Sequence, residues 1–273
     1  DIQRALKESS NIEYRVNTLK DSLEKSIDFL RTQLNVYSLK FLPSSFQIIP
    51  LVYLFSKVDV LSQYQREMTQ KWFWRTSFTT RYRDSTNYRV ESDISFFEDL
   101  SKKEEVSLKG YNTDVISEDF FANCKFHRSA AVTKAFVLML SRENPRDLLE
   151  GHKVSTEDTF SESDFSGENH HVFPRGYLLH KEYKEKTINS LANVCLLSSS
   201  SNRAVSDSPP SDYLFDEDAP LFDDGRKQPE VGPDILKSNL LPTDISIYRE
   251  DDFDRFISER STLLYNYFQR LIR

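Results

Sequence analysis

Glycine is scarce in this chain, with six in 273 residues. So few residues free to adopt positive φ leave little material for a turn-rich β sandwich, and 20 phenylalanines and 13 tyrosines need burial. The expected fold is therefore mostly α. Cysteine is scarcer still, at two. Cys124 and Cys195 cannot form a disulfide scaffold or a four-thiolate zinc site, and their apolar neighbours mark them as small core residues. Long apolar runs are absent too: the longest, Phe46 to Phe55, is interrupted by Gln47 and Pro50 and falls well short of the roughly 20 residues that cross a bilayer. No basic segment followed by an apolar one opens the chain, so a secretory signal is not visible. A cytoplasmic protein with no membrane association is the expectation. The sequence begins at Asp1 in what already reads as helix, and a C-terminal piece of a longer protein is expected.

An excess of positive charge is also lacking, with 36 Lys and Arg against 43 Asp and Glu. A net charge of −7 argues against a protein that coats nucleic acid, because non-specific affinity comes from neutralising phosphates with Lys and Arg. The distribution is uneven, however. Glu168 to Arg203 holds five basic and three acidic residues, whereas Asp207 to Asp224 holds seven acids and no base. A local cationic site beside an acidic loop fits this pattern.

What the chain does have is helical periodicity. Leu19, Leu23, Ile27, Leu30 and Leu34 recur at three- and four-residue steps, one face of an amphipathic helix. Leu42-Pro43-Ser44-Ser45 is a break and an N-cap for a helix through Leu54. Ser129 to Leu140 reads as a buried helix ending before Asn144-Pro145, and Phe253, Phe256, Ile257, Leu264, Phe268 and Leu271 as a closing amphipathic helix. Residues 1–150 are expected to form a helical scaffold domain. Residues 151–215 are expected to form a ββα subdomain, and 216–273 an acidic loop and a helix packed on the scaffold.

The chemistry concentrates in Asn169-His170-His171-Val172-Phe173-Pro174, followed by Asn193, then Asn202-Arg203. Short apolar pieces at Val172-Phe173 and Val194 to Leu197 read as two antiparallel strands, with the four serines 198–201 capping a helix that bears Asn202 and Arg203. Adjacent strand residues point to opposite sides, so a tandem histidine can send one imidazole to a metal and the other to a water. Hydrolysing a phosphodiester needs a base for the water and a cation for the developing charge. A hard cation such as Mg²⁺ or Mn²⁺ keeps several waters, so few protein ligands suffice. Asn202 is then a candidate metal ligand, Arg203 a phosphate clamp, and Asn193 a tie between the two loops.

These residues resemble an HNH endonuclease motif in its His-Asn-Asn variant. The resemblance makes His171 the general base, His170 and Asn202 the metal-holding pair, and Asn193 the structural asparagine of the catalytic set. Trp72-Phe73-Trp74-Arg75, Arg81-Tyr82, Asn144-Pro145-Arg146-Asp147 and the stretch from Asn202 through Ser211-Asp212-Tyr213-Leu214 extend it toward the C-terminal half of GmrSD-type, modification-dependent restriction proteins. That family implies a magnesium- or manganese-dependent nuclease for phage or modified DNA, an N-terminal nucleotide-binding domain as partner, and a possible homo-oligomer. The alternative is an inactive HNH-like helical module that binds DNA or a partner domain; RNA as substrate is a third reading.

Basic residues interleaved with aromatics over Lys71 to Arg89 nominate Arg75 and Arg81, with Arg175 and Arg203 near the motif, as nucleic-acid contacts. The commoner role of such tryptophans is core packing, with the arginines paired to acids. Asp158, Glu162 and Asp164 are possible extra ligands, and Asp216 to Asp224 a possible acidic cover, although solvated loops are the usual fate of such runs.

Overall fold

The computed structural model describes residues 2–102, 105–154, 171–215 and 231–273. It is mostly helical, at 62%, and β pairing among the described residues amounts to three isolated antiparallel bridges: Lys125 with Ser190, Arg146 with Lys153, and His171 with Val194. The chain separates into two compact units, residues 1–113 with Ile272, and 114–271 with Arg273.

The first unit contains α1 (Ile2–Leu34), α2 (Ile48–Lys57), α3 (Gln63–Phe78) and α4 (Thr86–Ser101), with α2 in contact with both α1 and α4. Ser44 starts the segment ahead of α2 with a capping box closed by Gln47, and Ser62 with Gln65 does the same for α3, so the orphan amides of both starts are satisfied locally. Trp72, Phe73 and Trp74 are buried, with Trp72 edge-on to Phe97 at 4.8 Å. Arg81 and Asp93 form a buried pair. Asp93 accepts from Arg81 Nη2 at 2.8 Å, from Tyr111 Oη at 2.8 Å and from Tyr82 Oη, and the guanidinium lies 4.4 Å from the Tyr111 ring centre.

The second unit begins with α5 (Phe120–Asn123) and α6 (Ala131–Ser141) and continues through α7 (Arg175–His180), α8 (Glu185–Ile188), α9 (Ser199–Val205), α10 (Pro210–Phe215), α11 (Pro233–Ser238), α12 (Ser246–Arg249) and α13 (Phe253–Ile272). Apolar side chains Val132 to Leu140 bury α6 almost all round. Residues 114–150, expected with the scaffold, thus lie in the same unit as the motif. Backbone bonds explain why: Phe126 N–H donates to Asn189 O at 2.7 Å and Leu191 N–H to Cys124 O at 2.9 Å. The closing helix α13 packs here as well, with Phe256 and Phe253 4.9 and 5.3 Å from Phe173 between ring centres.

The two expected strands shrink to the single His171–Val194 bridge. The cause is local. Pro174 ends the pairing by turning the chain into α7, and the side chain of Asn193 takes both backbone groups of Phe173 that a ladder would have used. Both cysteines lack a disulfide. Cys195 is buried, and that burial pushes its thiol up to about 12, which leaves it inert as a nucleophile.

Candidate active site

Asn193 is the centre of the local architecture. It is fully buried; its Oδ1 accepts from Phe173 N–H at 2.9 Å, and its Nδ2 donates to Phe173 O at 2.9 Å and Ile188 O at 3.0 Å. With Val172 N–H donating to Asn193 O at 2.8 Å, the segment after His171 is locked to the 188–194 loop. Tyr213 adds a bond from its hydroxyl to Val172 O at 2.7 Å. Buried Asn193 touches no solvent, so it positions the segment that carries His171 and makes no contact of its own with a ligand.

Asp147 plays the corresponding part for the helix with Asn202 and Arg203. The Ser198 hydroxyl caps α9, and the fully buried Asp147 carboxylate accepts from Ser198 N–H at 2.8 Å and Ser201 Oγ at 2.7 Å. It also accepts from Leu149 and Glu150 N–H at 2.9 and 3.0 Å. Burial opposes its ionisation, but the Ser201 hydroxyl and three backbone N–H bonds outweigh that and hold the carboxyl below its ordinary range. Arg260 is a third anchor. Buried without exposure, it donates to Ala192 O at 2.9 Å, Asn239 O at 3.3 Å and Leu240 O at 3.4 Å.

The segments fixed in this way enclose a cleft of about 640 Å³ lined by His171, Arg175, Asn189, Asn202, Arg203 and Asp207, among others. Four of the residues expected at the site therefore meet there: His171, Asn202, Arg203 and Arg175. Arg203 is exposed. Arg175 is half-exposed and paired to Glu185, which raises its guanidinium above its ordinary value. Asp207 also lines the cleft, accepting from Gly176 N–H at 3.0 Å. Gly176 is required by that approach: a Cβ there would sit 2.3 Å from the Asp207 carboxyl carbon. His170, Asp158, Glu162, Asp164 and the acidic run 216–224 lie outside the described residues. Among the described residues no group of three His, Cys, Asp or Glu side chains is placed to hold a metal ion. Of the residues expected to hold a cation, Asn202 lines the cleft, with the Asp207 carboxylate as a further oxygen donor there, and a hydrated hard cation accepts so sparse a set of oxygen ligands.

Arg75 and Arg81 are elsewhere, both in the first unit. Arg75 donates to Ile272 O at 3.0 Å and Tyr111 O at 3.1 Å, and burial lowers its guanidinium. Arg81 is committed to Asp93. As phosphate contacts these two require correction, since engaging a nucleic acid would orphan two backbone carbonyls in one case and a buried carboxylate in the other.

Sequence reasoning gave no role at the site to Asp147 or Asp207, which it quoted only within longer stretches, and passed over Asn189 and Arg260. A signal existed for Arg260: Phe256, Arg260, Leu264 and Phe268 occupy one four-residue row of α13, so a cation stands in an apolar stripe. Nothing comparable marks Asp207, whose role depends on a glycine 31 residues away.

The fold and site define a mostly helical protein in which an asparagine-tied β bridge and a short capped helix form the walls of a polar cleft. No protein-family model matches the chain, and no solved structure matches it. It is similar to an uncharacterized protein of Methanocaldococcus jannaschii, 22% identical over 217 residues, covering 72% of this chain and 36% of that protein. The chain thus spans little more than a third of the length of the curated relative it matches.

Proposed function

We propose that the cleft is the active site of a metal-dependent endonuclease of the His-Asn-Asn type, acting on DNA. The observation that carries this reading is the convergence of His171, Asn202 and Arg203, 31 and 32 residues apart in sequence, on one cleft. Convergence of a base, an amide ligand and an exposed guanidinium is what phosphodiester hydrolysis asks of a protein.

In this reading His170 and Asn202 would hold the cation, which would supply positive charge to the phosphate as negative charge develops on it. An imidazole nitrogen of His171 takes the proton from the attacking water. Arg203, which no hydrogen bond or ion pair holds among the described residues, clamps the phosphate through two N–H donors. Asn193 and Tyr213 keep the His171 segment rigid, and Asp147 does the same for the first turn of α9. The wider role, as the nuclease half of a modification-dependent restriction protein that works with a nucleotide-binding domain, rests on the resemblance of the quoted motifs.

Mn²⁺ binding followed by the loss of the free-ion electron paramagnetic resonance signal tests the ligand assignment. Asn202→Ala is expected to weaken binding at least about tenfold; unchanged affinity in a folded variant refutes the role given to Asn202. Matched DNA and RNA strands in the same nicking assay decide the substrate.

A further inference from the structure

Helix α1 is 33 residues long, and its apolar row is treated in two ways. Toward the C-terminal end the row is covered: Ser26, Leu30 and Leu34 are at most 1% exposed. Toward the N-terminus, from about one to about four turns earlier, the same row is bare, with Ile12, Val16, Leu19 and Leu23 exposed to 62, 57, 59 and 38%. The intervals between these four are four, three and four residues, the alternation of a coiled-coil seam, which puts Val16 and Leu23 at a and Ile12 and Leu19 at d. Four large apolar side chains in a contiguous exposed line mark an interaction surface rather than a solvated face.

The flanking charges select the occupant. We infer that this seam pairs antiparallel with the same seam of a second copy of the chain. Under a two-fold axis Val16 meets Leu19 of the other copy and Ile12 meets its Leu23, each contact occurring twice, as a closed symmetric dimer requires. The e positions are then Glu13 and Lys20, and Glu13 of each copy lies beside Lys20 of the other: two attractive pairs and no repulsive one. In the parallel arrangement the g residue Arg15 would face Lys20, two like-charged pairs. All three side chains are exposed, and the loose Lys20–Glu24 contact at 4.0 Å does not hold Lys20 from re-pairing. Two heptads make a small interface, so dissociation on the order of ten to a hundred micromolar is expected. This inference is independent of the nuclease reading.

Sedimentation equilibrium of the chain at concentrations up to about 200 µM tests it. The wild type is expected to reach a monomer–dimer equilibrium. Leu19→Glu is expected to abolish it with unchanged helicity and melting, because Leu19 is solvent-facing in the monomer. Glu13→Lys and Lys20→Glu alone are each expected to weaken the dimer about fivefold, and the double exchange to restore it. A strictly monomeric wild type overturns the inference, as does a dimer indifferent to Leu19→Glu. A dimer tightened by Lys20→Glu alone also overturns it, since that result belongs to the parallel arrangement.

Discussion

Replacing Asn193 by alanine strips three hydrogen bonds from the interior of the second unit at once. The groups left behind are Phe173 N–H, Phe173 O and Ile188 O, all backbone and all around a residue without solvent exposure. Water cannot replace the lost amide without opening the packing of Phe173 against Phe253 and Phe256. At about 1–1.5 kcal/mol for each orphaned group the substitution costs about 3–5 kcal/mol. For a unit of this size that corresponds to a fall in melting temperature on the order of 10 °C. Differential scanning calorimetry reads this directly, with Asn193→Asp as a second probe: it keeps the acceptor for Phe173 N–H but turns a carboxylate toward two carbonyls. Asp is expected to rescue nothing at neutral pH. If Asn193→Ala melts within about 2 °C of wild type, the argument that this side chain replaces a strand ladder is wrong.

Three further outcomes follow from the same geometry. Asp147 has a folded-state carboxyl held below its ordinary value, so its stabilisation is present above the unfolded carboxyl value of about 4 and lost as pH falls through the folded one. Asp147→Asn is therefore expected to lower stability at neutral pH, with the gap to wild type closing below about pH 4 in acid-denaturation curves. Gly176→Ala places a methyl 2.3 Å from the Asp207 carboxyl carbon; Asp207 is expected to swing away, and hydrogen exchange at residue 176 to accelerate as its bond to Asp207 is lost. Arg81→Ala leaves the buried Asp93 carboxylate with two tyrosine hydroxyls and no cation, which is expected to cost about 3–5 kcal/mol in denaturant titration, whereas an Arg81 that served nucleic acid would be dispensable for folding.

The parts of this molecule that could be read from its sequence are those set by local pattern. The apolar spacing of Phe253 to Leu271 gave α13, the run 129–140 gave α6, and Leu42-Pro43-Ser44 marked the capped entry to α2. His171, Asn202 and Arg203 could be nominated together because their residue types carry the same chemistry at any distance. The strands were over-read, because apolar runs of two to four residues look alike whether they pair as a ladder or lie along a loop stitched by an asparagine. Asp147 and Arg260 were given no role because a buried charge is recognised by its partners, here mostly backbone groups, and these have no sequence signature. The unit boundary was misplaced for the same reason: 114–150 is tied to the motif by main-chain bonds such as Phe126–Asn189 and Leu191–Cys124 and by the Asp147 carboxylate, none of which has a sequence signature.

The central claim is tested most directly by nicking of supercoiled plasmid with Mg²⁺, Mn²⁺ or chelator, comparing wild type with a folded His171→Ala. Open-circular product that requires the metal and falls at least about a hundredfold in His171→Ala is the expected result. Equal nicking by both proteins, or none by a folded wild type with either metal, contradicts it.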